Sequence, residues 1–96
     1  MFVSTTAPRI IKTEKISLSK DKEIRIIDTK GLCARLRVLD GAVQVLGAKN
    51  ADMADAYPLF PSDTLDFTGE LFIAFSKDNE SSIERAEIRV MYYDSI

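Results

Sequence analysis

The stretch that decides the fold runs from residue 39 to residue 75, LDGAVQVLGAKNADMADAYPLFPSDTLDFTGELFIAF. Near its start stands Asp40-Gly41, the pair favoured in two-residue type I′ hairpins, where both positions need positive φ. Before the pair, Ala34, Leu36 and Val38 alternate with Arg35, Arg37 and Leu39; after it, Val43 and Val45 continue one face. This is the period of half-buried strands, so residues 33–47 are expected to form a β-hairpin. Residues 47–57 (GAKNADMADAY) have no such period and are expected as a long surface loop, with residues 51–56 too short for a stable helix. Pro58 and Pro61 bracket Leu59-Phe60, and a proline has no amide hydrogen for a central strand, which predicts edge or turn structure. Residues 65–67 form a short strand that Thr68-Gly69-Glu70 breaks. Residues 71–75 (LFIAF) are apolar without alternation, as in a strand covered on both faces.

On either side the pattern is similar. Residues 1–8 (MFVSTTAP) offer little apolar surface and are expected as a flexible arm. Residues 9–19 (RIIKTEKISLS) form a first strand, with Ile10 or Ile11, Ile16 and Leu18 among charges. Residues 23–29 form a second, with Ile24 and Ile26 on one face, and Lys30-Gly31 make the next turn. Residues 76–82 are a polar hairpin loop. Residues 86–93 (AEIRVMYY) are the last strand, with Ile88, Val90 and Tyr92 on one side and Glu87, Arg89, Met91 and Tyr93 on the other. About seven short strands with regular turns and no amphipathic helix predict an all-β domain over residues 9–96. The expected form is a small antiparallel β-sandwich, jelly-roll-like.

Composition narrows the functional classes. Of 96 residues, 46% are hydrophobic and 29% charged, the balance of a globular domain. A net charge of −2 argues against general nucleic-acid binding, which needs a dense basic face. Ser4-Thr5-Thr6 interrupt the apolar start, so no signal peptide is expected, and no apolar run approaches the roughly 20 residues that cross a bilayer. A single cysteine forms no internal disulfide and suits a reducing compartment. Charge is uneven: residues 1–50 carry ten Lys/Arg and five Asp/Glu (+5), residues 51–96 three and ten (−7). Two readings remain open, mutual attraction of interleaved halves and head-to-tail contact between copies.

Reaction chemistry finds few candidates. Histidine is absent, which removes the usual general base and the commonest metal ligand. Cys33 has no histidine to activate it and reads as structural. Asn50, Asp52 and Asp55 raise the question of calcium. Their spacing lacks the repeated acids and glycine of a calcium loop, and Lys49 adjoins them, so a solvated loop is expected. Asp63, Asp66 and Glu70 read as turn caps and solubilising groups. No cofactor or metal is expected. Tyr57 and Phe60, beside two prolines, are expected to be partly exposed; an interface, a sugar-stacking platform and core packing remain open for them.

The order of pieces in the second half resembles small tailed-phage virion proteins. Those pieces are Val43-Gln44-Val45-Leu46-Gly47, Tyr57-Pro58-Leu59, Pro61-Ser62-Asp63, Leu71-Phe72-Ile73-Ala74 and Ile88-Arg89-Val90-Met91-Tyr92. Across residues 38–93 they follow the pattern of a V-x-V-x-G strand, a polar loop, an aromatic-Pro-Leu turn, a Pro-led turn, an apolar strand and a final V-x-V-x-aromatic strand. The resemblance implies a non-enzymatic β-sandwich subunit of a phage particle, with no catalytic residues. A multicopy capsid decoration or cement protein leads, bound to major capsid or other virion proteins, made in the host cytoplasm and carried in the virion. A neck or tail component, or a host-surface glycan-binding module, is the alternative. The expected partners are virion proteins and further copies of the chain, with neither nucleic acid nor membrane. The residues expected at interfaces are Phe2 and Arg9 of the N-terminal region, and Asp52, Asp55, Tyr57 and Phe60.

Overall fold

A computed structural model describes residues 9–20, 24–47 and 55–94. The period-two segments become β1 (Arg9–Ser19), β2 (Arg25–Asp40), β3 (Val43–Leu46), β4 (Tyr57–Leu59), β5 (Thr64–Phe75) and β6 (Arg85–Asp94). They form one antiparallel six-stranded sheet in the order β1-β6-β2-β5-β3-β4. The all-β antiparallel expectation holds, with six strands in place of about seven and no α-helix among the described residues. The arm at 1–8, with Phe2, and residues 48–54 of the expected loop, with Asp52, lie outside the described residues.

Alternation places the core. Ile16 and Leu18 of β1, Ala34, Leu36 and Val38 of β2, and Ala86, Ile88, Val90 and Tyr92 of β6 are buried together with Val43, Leu59, Leu71 and Ile73. The expected faces of β6 are therefore correct, and Ile73 and Ala74 are buried on opposite faces of the LFIAF run. One face differs. Ile27 and Thr29 point inward, whereas Ile26 is exposed. The adjacent Ile26-Ile27 pair fits either face of a strand, and the phase is set by pairing with β5.

Residues 25–40 form one long strand, so Lys30-Gly31 is no hairpin turn and Thr68-Gly69-Glu70 does not end β5. Both are halves of a single irregularity. Asp28 faces Glu70 and Cys33 faces Thr68, leaving residues 29–32 opposite Gly69 alone. Lys30 (φ 52), Gly31 (φ 88) and Gly69 (φ 86) take left-handed conformations there. Side chains stitch the bulge: Gly69 N donates to Thr29 Oγ1 (2.8 Å), Thr68 Oγ1 to the Leu32 carbonyl (2.8 Å) and Lys30 N to Asp28 Oδ1 (2.9 Å). Such bulges bend strands. Here the bend must be large, because Arg25 pairs with Ile73 while Val43, three residues past Asp40, pairs with Phe75. Those links hold the two ends of β2 within about 28 Å, against roughly 50 Å if it were straight. The sheet therefore folds back over itself, and its inner face closes the core with no helix among the described residues to cover it.

The expected β2–β3 hairpin at Asp40-Gly41 is not formed. Gly41 has φ 70, but Asp40 is not in the left-handed region, so the type I′ requirement fails. Both edges of β2 are already occupied, by β5 and β6, and β3 instead takes the far edge of β5. The link at 41–42 crosses from one arm of the bent sheet to the other. Gly41 passes against the first two residues of β6: a Cβ there would lie 3.0 Å from Ala86 Cα and from the Arg85 carbonyl. Asn79 fastens the crossing. Its Oδ1 accepts from Ala42 N (2.8 Å), and its Nδ2 donates to the carbonyls of Ala42 (2.8 Å) and Ser76 (3.0 Å). Likewise, residues 76–82 are not a hairpin loop, since β2 lies between β5 and β6. They are a crossover, tied to the 41–42 crossing by Asn79.

Candidate functional site

β4 and the turn that follows it carry two exposed large apolar side chains, Tyr57 and Phe60. β4 is a sheet edge, as Pro58 requires. Leu59 is buried and anchors it, which turns Tyr57 (68% exposed) and Phe60 (46%) outward. The next four residues form a tight turn in which Asp63 N donates to the Phe60 carbonyl (2.9 Å). Pro61 in second place and a positive φ in third (Ser62, 80°) are the marks of a type II turn. The turn is held three further ways: Phe60 N donates to Asp63 Oδ2 (2.8 Å), Ser62 N to the Val38 carbonyl (2.8 Å), and Val38 N to the Asp63 carbonyl (3.0 Å). Phe60 therefore stands on a stiff support. An open cleft of about 380 Å³ lies alongside, lined by Val45, Tyr57, Leu59, Asp63, Thr64 and Leu65.

Ser62 occupies a position that favours glycine. Ser62→Gly is expected to raise unfolding stability by up to about 1 kcal/mol through relief of that conformation. A urea melt with no gain in midpoint would contradict the turn geometry.

The outer face of the β1-β6-β2 half has a different character. Lys15 faces Arg89 and Arg89 faces Arg37 directly across neighbouring strands, a like-charge row that is unfavourable in itself. Glu87 Oε1 lies 3.5 Å from Lys15 Nζ, and its Oε2 lies 3.5 Å from Arg89 Nη2. One pair along, Arg35 grips Asp66 with two bonds (Nε–Oδ1 2.6 Å, Nη2–Oδ2 3.1 Å). The guanidinium holds the Asp66 carboxyl below its usual range, and the same hydrogen bond raises the Arg35 pKa. At the rim of the inner face Tyr92 donates to Glu14 Oε1 (2.8 Å), and Lys12 Nζ sits 4.8 Å from its ring centre. Burial, with help from that bond, pushes the Tyr92 hydroxyl up to about 12.

Tyr57 and Phe60 are exposed, as expected, and Asp55 is exposed two residues before Tyr57. Arg9 does not join them: β1 and β4 stand at opposite ends of the strand order, and Arg9 Nη2 is paired with Asp94 Oδ2 at 2.6 Å. Of the four ion pairs among the described residues, three, Arg9–Asp94, Lys15–Glu87 and Arg35–Asp66, join the basic first half to the acidic second half. Interleaving thus accounts for part of the charge asymmetry. Cys33 is half-buried inside β2, facing Thr68 and Tyr93 rather than starting a strand. Among the described residues no group of three His, Cys, Asp or Glu side chains is placed to hold a metal ion.

Neither the known protein families nor the curated proteins contain a match to this chain. The surfaces themselves must therefore carry the functional argument. Sequence reasoning found the Tyr57/Phe60 pair through its prolines, but missed the Lys15-Arg89-Arg37 row. The alternation of Arg35 and Arg37 was visible; their alignment with two other strands depends on register.

Proposed function

We propose that the chain is a non-enzymatic structural subunit of a bacteriophage virion, most simply a multicopy capsid decoration or cement protein. The observation that carries the reading is the aromatic pair Tyr57 and Phe60, held out from a sheet edge by a buried Leu59 and a multiply bonded turn. Rigid exposed aromatics beside a cleft suit protein docking, because large apolar area is presented with little ordering entropy left to lose. The order of strand and turn pieces over residues 38–93 supplies the particle. On this reading the folded-back sheet is a small jelly-roll-like sandwich, and the partners are major capsid or other virion proteins. Many modest contacts across a symmetric shell would then hold each subunit by avidity.

The test is immunodetection of the chain in gradient-purified particles. The double variant Tyr57→Ser/Phe60→Ser should keep its β-type circular dichroism and lose at least about tenfold in particle occupancy, the scale of one hot spot. Absence of the chain from particles would overturn the reading. A few copies per particle would move it to the neck or tail.

A glycan-binding module is the second reading, favoured by Tyr57 sharing its cleft with Asp63 and Thr64, an aromatic face beside polar groups. Binding on a glycan array that disappears with Tyr57→Ala would establish it in place of the first.

A further inference from the structure

The two edges of the sheet are unlike. β4 is three residues long and blocked by Pro58, whereas β1 has 11 residues, contains no proline and, among the described residues, pairs on one side only, with β6. Long open edges are templates for another strand. The ladder shows which backbone groups of β1 are not used by β6. Lys20 N donates to the Glu84 carbonyl, so Lys20 is in hydrogen-bonded register with β6, and so, by alternation, are Leu18, Ile16 and Glu14. The amides and carbonyls of Thr13, Lys15, Ser17 and Ser19 therefore point away from the sheet.

We propose that β1 pairs antiparallel with β1 of a second copy of this chain about a two-fold axis at Ser17, joining two sheets into one. The occupant follows from charge and parity. To keep the buried faces on one side, and to pair the free odd-numbered residues with each other, the two residue numbers of each pair must add to an even total. A centre at Glu14 sets Glu14 against itself, and one at Lys15 sets Lys15 against itself, both repulsive. A centre at Thr13 runs the partner into the bulge between Ile10 and Lys12. A centre at Ile16 is regular, but leaves Glu14 opposite Leu18. The centre at Ser17 sets Glu14 against Lys20 twice, Ile16 against Leu18 twice, and Lys15 against the small Ser19. Over residues 14–20 it opposes no like charges, and it makes about six new backbone hydrogen bonds. Closed two-fold pairing also consumes the edge, which prevents open-ended fibre growth. The dimer rests on β1 alone, independently of the particle reading.

Light scattering during size exclusion of the full chain should give twice the chain mass at about 100 µM, a usual range for modest interfaces. Ser17→Pro removes an amide that faces the free edge and no β1–β6 bond, so it should keep the β-type spectrum and run as a monomer. If that variant misfolds, Ser17→Cys in a Cys33→Ala background decides. The two-fold axis brings the two thiols to a Cα separation of about 5.5 Å, within disulfide reach, and mild oxidation should link most of the protein into a covalent dimer. Ser19→Cys in the same background should not link. A monomeric wild type, a Ser17→Pro dimer, or equal linking at positions 17 and 19 would overturn the proposal.

Discussion

Gly41→Ala is expected to destabilise the fold by about 2–3 kcal/mol, and Gly69→Ala by only about 1 kcal/mol. Both glycines have left-handed φ, 70° and 86°, and a side chain there is disfavoured by roughly 1–2 kcal/mol. They differ in what surrounds them. An added Cβ at Gly69 meets nothing within 4 Å, while at Gly41 it meets Ala86 Cα, Ala86 Cβ and the Arg85 carbonyl at 3.0 Å. Two of those three atoms are backbone in a paired strand and cannot rotate away, so overpacking is added to the strain. Urea unfolding of the two variants, compared at equal slope, is the measurement. Equal losses would mean that the 41–42 crossing does not press on β6.

Leu36→Ala should cost about 3–4 kcal/mol, against less than about 1 kcal/mol for Leu39→Ala. The two leucines stand three residues apart in one strand. Leu36 is fully enclosed between the arms of the bent sheet (0% exposed), while Leu39 is on the outer side (41%). The first truncation opens a cavity in a packed interior; the second removes a side chain already partly in water. Since a domain of this size has a total stability on the order of 5–15 kcal/mol, the Leu36 variant should show a large drop in thermal midpoint. A flat open sheet would instead give the two variants similar losses.

Much of the secondary structure was legible because burial on one face of a sheet writes a period of two into the chain. Ala34, Leu36 and Val38, and likewise Ile88, Val90 and Tyr92, announce both strand and face. Pro58 announces an edge, and Pro61 the turn that supports Phe60. The same local reading misassigned Asp40-Gly41, Lys30-Gly31 and Thr68-Gly69. A left-handed residue has one local appearance whether it closes a hairpin, bends a continuous strand or lets one strand pass closely over another. Which of these occurs depends on the edges that remain open. Residues 76–82 failed for a similar reason: a polar loop between two strands does not say whether a third strand lies between them.

By itself the sequence determined the all-β character, the core faces of residues 34–38 and 88–92, the edge or turn character around Pro58 and Pro61, and that no histidine is present for acid–base work. Tertiary structure alone decided the strand order, the fold-back at Lys30-Gly31 and Gly69, the facing of Lys15, Arg89 and Arg37, and the open edge of β1. The division is physical. Alternation is imposed residue by residue through burial, whereas pairing partners are chosen among distant strands competing for the same hydrogen-bonding edges, and no short stretch of chain records the outcome of that competition.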